Sequence, residues 1–443
     1  MKIQLSEHFT YGKLIKFTLP TIVMVIFTSI YGVVDGIFVS NFVGKTPFAA
    51  VNLIMPFLMI LGTVGFMLGT GGSAIVSKTL GEGDKRKANK YFSMIVFAAL
   101  IGGVVLSILG EIFIRPVSRL LGAEGEMLEY CVLYSRIILA ALTAFVLQNV
   151  FQSLLITAEK PHIGLALTIA AGVTNMLLDF LFIAVFKWGI AGAAIATGIS
   201  QLVGGCIPLV YFLRENDSIL RLERVKIQRK VLIKTCANGS SEMLANISMS
   251  LVSMLYNFQL IRIAGENGVA AYGVIMYVNF IFTSVFFGYS LGSAPIVGYH
   301  YGASNHSELK NLLKKSITLL LVCSVALAAL AILLSAPLAK IFVGYDKELF
   351  ELTCRGFQIY SISFLLMGIN IFGSAFFTAL NNGAVSATIS FLRTLVFQVI
   401  PVLLLPVFFG SDGIWFAVVA AEIMALVVTV TFIIKNKNKY HYL

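Results

Sequence analysis

The chain has 443 residues, of which 58% are hydrophobic and only 12% charged, and its mean hydropathy is +0.92. Soluble proteins carry about 25% charged residues, so this composition excludes a water-soluble enzyme, a disordered chain and a coiled coil. The net charge of +11 fits Lys and Arg gathered in cytoplasmic loops, and no basic face with interleaved aromatic residues indicates nucleic acid. The five cysteines are scattered without a C-x-x-C pair, which predicts neither a disulfide nor a metal site.

Twelve apolar segments follow one another along the chain, each long enough to cross a bilayer, which takes roughly 20 residues. They are residues 14–40, 47–77, 90–113, 127–156, 162–186, 189–213, 236–264, 269–299, 312–334, 349–379, 385–409 and 413–434. No small-residue cleavage site precedes the first segment, so we expect it to remain as a spanning helix. The pattern predicts an all-α polytopic membrane protein with twelve transmembrane helices.

Orientation follows from Lys and Arg in the loops. With the N-terminus inside, the inner segments hold 22 of these residues and the outer loops hold 7, while Arg136, Arg355 and Arg393 fall within helices. This asymmetry predicts that both termini are cytoplasmic. The longest loop, residues 214–235, is also predicted inside and divides the spans six and six.

The chain repeats itself after 221 residues. Residues 44–55 lie over 265–276, and residues 149–158 lie over 370–379. Each copy holds six spans, so the two copies insert in the same orientation, as in transporters built from parallel repeats. This predicts two six-helix lobes, residues 1–213 and 236–443, joined by the basic linker 214–235. A pseudo-twofold axis along the membrane normal relates the lobes, with a central cleft between them.

Polar residues that occur in only one copy are not required by the shared scaffold. Four such positions lie inside predicted spans of the first copy: Asp35, Asn175, Asp179 and Thr197. Their counterparts in the second copy are Tyr256, Val396, Ile400 and Val418. Because a carboxylate inside a membrane is costly and usually functional, these four residues are the first candidates for a site.

The predicted depths of these residues in the membrane support grouping them into one site. At 1.5 Å per residue, Asp35, Asp179 and Thr197 lie roughly 8, 10 and 12 Å from the outer ends of their helices, with Asn175 one turn deeper than Asp179 on the same face. Two carboxylates, an amide and a hydroxyl suit Na⁺, whereas the carboxylates alone suit H⁺. The alternative is that both aspartates pair with Arg136 or cap breaks in the helices. No metal other than Na⁺ is predicted.

Other polar residues leave alternatives open. Candidates for a substrate cleft are Tyr31, Asn149, Gln152, Glu242, Asn246, Tyr256, Asn370 and Gln398; the amides among them either line the cleft or bond between helices. Glu242 is otherwise a charge near the start of helix 7, and Glu422 either serves a substrate or pairs with Arg355. Whether either glutamate forms a second cation site stays open. Pro20, in the middle of helix 1, predicts a kink.

No Walker loop and no metal-ligand spacing is present, so we expect neither an enzyme nor a pump driven directly by ATP. Several short motifs do occur in order along the spans. They are Tyr31-Gly-Val-Val-Asp35 with Pro20 fifteen residues before the aspartate, Leu80-Gly-Glu-Gly-Asp84, Tyr134-Ser-Arg136-Ile137, Asn175-x-x-x-Asp179 and Gly189-Ile-Ala-Gly192.

In this order the motifs resemble the multidrug and toxic compound extrusion (MATE) family over the whole chain. The resemblance implies a cation-coupled antiporter that expels amphipathic, often cationic drugs. It implies that Asp35, Asn175, Asp179 and Thr197 form the cation site of the prokaryotic branch, and that helix 1 bends at Pro20.

The sequence therefore predicts an antiporter in the cytoplasmic membrane of a bacterium or archaeon, coupled to Na⁺ or H⁺ and exporting drugs by alternating access. The expected partners are small amphipathic substrates and membrane lipids. We expect a monomer with no cofactor beyond the coupling ion. Two rivals remain: a lipid-linked oligosaccharide flippase of the related superfamily, which predicts a wider cleft lined by cations, and a channel or membrane-embedded receptor.

Overall fold

A computed structural model of the chain describes residues 3–443, apart from the side chains at positions 37, 40, 41 and 45. Lys2 and Lys45, which enter the charge count, therefore lie outside the described residues or side chains. Within residues 3–443 the regular structure is helical throughout. The predicted all-α fold is confirmed.

The first half contains six helices. They are α1 (Tyr11–Phe42), α2 (Lys45–Gly81), α3 (Lys85–Leu120), α4 (Gly125–Thr157), α5 (Pro161–Val185) and α6 (Gly189–Leu213). An extended segment, residues 214–228, leads to the second half.

The second half begins with one long helical segment, Arg229–Gly302, which breaks at Gly265 into α7 (229–264) and α8 (266–302). The others are α9 (His306–Val343), α10 (the pair Lys347–Ser361 and Phe364–Ala379, bent by 48°), α11 (Gly383–Phe409) and α12 (Ser411–Tyr440). With the break and the bend counted in this way, residues 3–443 contain the twelve predicted spans.

Matching turns separate equivalent helices in the two halves. Gly44 and Gly265, which lie 221 residues apart, have φ angles of 100° and 62°; this left-handed region is open to glycine without strain. At another equivalent pair, the Asp84 and Asn305 side chains accept hydrogen bonds from the backbone N–H groups of Lys87 and Glu308, at 2.9 and 3.1 Å. These N-caps start α3 and α9 ahead of the apolar segments 90–113 and 312–334 that the sequence predicted.

The bend in α10 was not predicted. The Ser361 and Ser363 hydroxyls donate to the carbonyls of Phe357 and Tyr360, both at 2.6 Å. Such bonds compete with the helical ladder and bend helices. The predicted span 349–379 is therefore two helices that meet at residues 362–363.

Buried side chains form two cores. One is built from residues between 39 and 220, and the other mainly from residues between 252 and 442. Phe9 and Phe17 from the start of the chain join the second core. The lobe boundaries 1–213, 214–235 and 236–443 stay a prediction.

Both termini and the segment 214–228 lie at the same end of the bundle, which we call the basic end. The Phe9 ring packs edge-on against His300, with 6.5 Å between ring centroids, and Tyr442 packs against Phe376. The backbone N–H of Glu223 donates to the Ser93 hydroxyl near the start of α3, at 2.8 Å.

The two halves touch closely at the basic end. Gly81 of α2 lies against the backbone of Tyr299, and Gly302 of α8 lies against the backbone of Lys78, so that a side chain at either glycine would overlap the partner helix. Further from the basic end, Ser29 of α1 and Ser284 of α8 form a hydrogen bond of 2.7 Å between the halves. The cleft between the halves is therefore closed toward the basic end.

Candidate cation-coupling site and cleft

Two carboxyl groups meet inside the first half. Asp35 of α1 adjoins Asp179 of α5 and interacts with it and with Asn175. Asp179 and Asn175 are 0% and 2% exposed, whereas Asp35 is partly exposed. The structure therefore brings together three of the four residues that the internal repeat singles out.

Several polar atoms of this group are buried without a well-formed hydrogen bond. Within the described part of the chain they are Asp35 Oδ1, both side-chain oxygens of Asp179 and Asn175 Nδ2, while the two carboxyl groups lie close enough to interact with each other. Arg136 pairs with Glu111 instead, at 3.6 Å, and the alternative that it neutralises the aspartates is wrong. Burying such groups unpaired is costly, so the site favours a shared proton or a cation.

The backbone of α5 changes form immediately after Asp179. Residues Phe180–Val185 form a π-helical turn, a feature that often accompanies functional sites. Stacked aromatic rings close this end of the helix, with 4.8 Å between the centroids of Phe182 and Trp188. Asp179 therefore lies at the junction between regular and widened helix, which the sequence did not predict.

Close packing of α1 on α5 brings Asp35 to the site. Gly172 of α5 faces α1, and a Cβ there would lie 2.5 Å from Phe27 Cε1 and 2.9 Å from Tyr31 Cδ1. Only a residue without a side chain fits beneath these two rings. Tyr31, predicted as a cleft residue, is partly exposed and interacts with Asp35.

Tyr134 is a further neighbour of the site, which its position in the internal repeat does not single out. It is 2% exposed and interacts electrostatically with both Asp35 and Asp179. It comes from α4, so three helices meet here. A buried phenol offers one donor and one acceptor, which suits a site that holds either an ion or a proton.

Thr197 stands apart from this group. It is half-buried on α6, and its backbone carbonyl accepts a hydrogen bond from Ser200 at 2.8 Å. Within the described residues its side chain makes no hydrogen bond with either aspartate. Its role as a cation ligand stays a prediction.

The second half has neutral groups where the first has the carboxyl pair. Tyr256, the counterpart of Asp35, is buried and donates its hydroxyl to Gln398 Oε1 on α11 at 2.9 Å. Its ring stacks on Tyr272 with 5.3 Å between centroids. The equivalent helix pair is thus held together without charge, so the carboxyl pair is a feature of the first half.

A buried ion pair lies elsewhere in the second half. Arg393 Nε and Nη2 both lie 2.9 Å from Glu422 Oε1, and Asn370 donates to Glu422 Oε2 at 2.7 Å. The Glu422 and Arg393 side chains are 1% and 12% exposed. The proposed partner Arg355 is wrong, because Arg355 instead binds Asp412 at the start of α12.

The internal repeat singles out Arg393, one member of this ion pair. Arg393 is a charge present in one copy only, since it overlies Gly172. It also lies in the π-helical turn Leu392–Val396, so each half has one such turn beside a charged residue of its fifth helix.

Glu242 lies deep in the second half near Arg393 but forms no ion pair within the described part of the chain. It remains partly exposed, and its backbone carbonyl accepts a hydrogen bond from Asn246 at 2.8 Å. The role of both residues in a substrate cleft stays a prediction.

The remaining predicted cleft residues divide into two groups. Asn149 and Asn370 are 6% and 0% exposed. Asn370 donates to the Glu422 carbonyl of α12 at 2.9 Å and thus bonds between helices, whereas Asn149 donates to the Phe145 carbonyl of its own helix at 3.0 Å. Gln152 is partly exposed and lines a small cavity in the first half with Gln148 and Thr168.

Pro20 is buried inside the continuous helix α1.

The sequence profile of the MatE family matches this chain twice, over residues 20–181 and again over residues 243–404. These segments make up more than half of the chain. The chain belongs to the MatE family. As a MatE protein it carries Asp35, Asn175 and Asp179 in the first matched segment and Arg393 in the second, and the two segments begin 223 residues apart, close to the internal spacing of 221.

MatE relatives cover nearly the whole chain. The multidrug export protein MepA of Staphylococcus saprophyticus is 25% identical over 413 residues, 93% of this chain and 90% of that protein. A crystal structure of a MATE transporter in the straight conformation has a TM-score of 0.93 at 23% identity, covering 98% of both chains. A structure described as the outward-facing conformation of a multidrug resistance MATE family transporter gives the same values. The twelve-helix membrane fold is therefore shown.

Proposed function

We propose that this MatE protein is a cation-coupled antiporter that exports amphipathic, cationic organic compounds by alternating access, and that Asp35 and Asp179 bind the coupling ion. The observation that carries the proposal is the carboxyl pair of partly exposed Asp35 and buried Asp179, which has no cationic partner within the described part of the chain and has Asn175 beside it. Export of drugs is supported by relatives that are named as multidrug export proteins. A transporter, not an enzyme, is the function these features favour.

The orientation of the chain is part of the proposal. We place the basic end in the cytoplasm because the predicted inner segments hold 22 Lys and Arg against 7 in the outer loops. The halves are in contact at this end, so we assign the present conformation to the outward-facing state. Likeness to a transporter described as outward-facing supports this assignment.

The exchange cycle follows from the position of the carboxyl pair. In the outward-facing state, one Na⁺ or H⁺ enters from outside, binds between Asp35 and Asp179, offsets the repulsion between their carboxyl groups, and draws α1 toward α5. Because Tyr31 and Phe27 move with α1, the first-half wall of the cleft changes shape and the drug leaves. The halves then rock to open the basic end, the ion leaves, and a new drug enters. One charge crossing the membrane supplies about 2.3 kcal/mol per 100 mV.

The flippase alternative is disfavoured by the state of the intramembrane arginines. A cleft for a phosphorylated lipid needs free cations, whereas Arg136, Arg355 and Arg393 are paired with Glu111, Asp412 and Glu422 respectively. The cleft is therefore not lined by unpaired guanidinium groups from these positions.

The test is export of ethidium from proteoliposomes under an imposed Na⁺ gradient or pH gradient. Wild-type protein is expected to follow one of the two gradients, and the Asp35→Asn and Asp179→Asn variants are expected to lose gradient-driven export, because an amide cannot take up the charge.

Asp412→Asn is the matched control. It makes the same substitution at a carboxyl that already has a partner, Arg355, and is expected to retain coupled export. Ethidium export by both site variants at the wild-type rate overturns the coupling assignment. Absence of export by wild type under either gradient overturns the proposed substrate class.

A further inference from the structure

A cavity of about 180 Å³ opens at the basic end, where the two halves meet. The first half contributes Lys78 and Glu82 from α2 and Lys87 and Tyr91 from the start of α3. The second half contributes Lys234 from α7 and Asn381 from the connection between α10 and α11. The space is large enough for a phosphate group with several water molecules.

The lining of this cavity is strongly positive. Three lysines face one carboxylate, that of Glu82, which lies 3.6 Å from Lys78 Nζ. Within the described part of the chain, Lys87 and Lys234 have no carboxylate partner; the Lys87 ammonium lies 5.8 Å from the centroid of the Tyr91 ring. The lining residues named above therefore carry an excess of two positive charges.

We infer that this cavity is a binding site for a phosphate-bearing anion, which the coupling and drug sites do not account for. Lysine ammonium groups bind phosphate as point charges, and the Tyr91 hydroxyl adds a neutral donor. Basic pockets between helix ends near a membrane surface suit the phosphate of an anionic phospholipid headgroup. A soluble phosphate offers the same chemistry, so the experiment separates the two sources.

The position of the cavity gives binding a conformational consequence. Its walls come from both halves, and the halves meet beside it: Asn381 Nδ2 donates to the Ala74 carbonyl across the junction at 3.0 Å. When the basic end opens, Lys234 and Asn381 move away from Lys78 and Lys87, and the site is divided. An anion that bridges both walls therefore stabilises the conformation closed at the basic end. This consequence for transport rests on the proposed function, whereas binding does not.

The experiment uses the purified full-length protein. Its thermal unfolding is measured in detergent with increasing inorganic phosphate or pyrophosphate, and in vesicles of phosphatidylcholine with or without phosphatidylglycerol. Lys87→Gln/Lys234→Gln removes one ammonium from each wall and leaves the Lys78–Glu82 pair in place. Lys310→Gln/Lys314→Gln is the matched control, since it neutralises two exposed lysines on α9 at the same end.

Wild type and the control pair are expected to be stabilised by the anion, and the pocket variant to need about 30-fold more anion for the same stabilisation. The conservative variant Lys87→Arg/Lys234→Arg retains both charges and is expected to bind, which excludes a mere folding defect. Stabilisation in phosphatidylglycerol vesicles alone identifies a lipid headgroup, and stabilisation by soluble phosphate in detergent identifies the free anion as sufficient.

Two results overturn the inference: no stabilisation of wild type by any of these anions, or an equal loss in the pocket variant and the control. Neither depends on ethidium transport. Failure of this site therefore remains distinguishable from failure of the proposed antiport.

Discussion

Replacing Gly288 with alanine perturbs the contact between α1 and α8 in a way that can be worked out from distances. A Cβ at this position would lie 2.5 Å from Ile22 Cα and 3.0 Å from the Thr21 carbonyl oxygen. Non-bonded carbon atoms are comfortable at about 3.5–4.0 Å, so α8 and α1 have to separate by roughly 1 Å. Because both neighbours are backbone atoms, no side-chain rotation relieves the overlap.

Overpacking of this kind costs about 1–3 kcal/mol. The clash exists only while the two halves are together, so the cost falls on the conformation closed at the basic end. A free-energy difference of that size changes a two-state equilibrium by roughly 5- to 150-fold. Gly288→Ala is therefore expected to populate the conformation open at the basic end.

Double electron–electron resonance between spin labels at Lys90→Cys and Lys310→Cys, in a background without the five native cysteines, measures the separation of the halves at the basic end. Gly12→Ala is the control, because a Cβ at this α1 glycine meets nothing within 4 Å. Gly292→Ala, whose Cβ would lie 3.2 Å from Thr18 Cα, is expected to act in the same direction but less. If Gly288→Ala leaves the distance distribution of wild type unchanged, the assignment of this contact to closure is refuted.

Three other predictions concern separate parts of the structure. Arg393→Gln is expected to lower the free energy of unfolding by about 3–5 kcal/mol because it leaves the Glu422 charge buried and unpaired. Replacing both partners with apolar residues is expected to restore most of this stability, as measured by thermal unfolding. Equal losses of stability in the single and double variants contradict this prediction. Gly172→Ala displaces the Phe27 and Tyr31 rings that lie between α1 and α5. Half-maximal transport is therefore expected to need about tenfold more coupling ion, and an unchanged ion dependence in a folded variant contradicts this prediction. The Glu308 carboxylate holds the first residues at the basic end through hydrogen bonds with the Phe9 N–H at 2.9 Å and the His8 ring at 2.6 Å. Glu308→Gln weakens these bonds and is expected to speed proteolytic cleavage before α1. Cleavage of the variant at the wild-type rate contradicts this anchoring role.

Much of the fold could be predicted because the constraints are strong and local. A membrane span requires a long apolar run, and the break between α7 and α8 is marked by Gly265, the counterpart of Gly44. The π-helical turns and the bend at Ser361 and Ser363 could not be predicted from the sequence. They depend on local hydrogen bonds, and the helices that contain them have the composition of ordinary apolar helices.

The candidate site was predictable to the extent that the repeat isolates charges. Asp35 and Asp179 stand out since their counterparts carry none, and the helices place them at one level. Arg393 is also a charge without a charged counterpart in the other copy. It lies ten residues into α11 from the basic end, or about 15 Å, which is the middle of a bilayer core of about 30 Å. Glu422, eleven residues into α12 from the opposite end, reaches the same level. Their pairing still required the structure, because depth alone does not say which faces of two helices meet.

The central claim is that the coupling ion and the drug compete through Asp35 and Asp179. The most direct measurement is ethidium binding to the purified protein across a range of Na⁺ concentration and pH, with wild type beside Asp35→Asn. Linkage requires that the ion lowers the affinity for the drug by the factor by which the drug lowers the affinity for the ion. One of the two ions is expected to weaken ethidium binding to wild type and to have no effect on the variant. Ethidium binding to wild type that is indifferent to both Na⁺ and pH contradicts competition through these carboxyl groups.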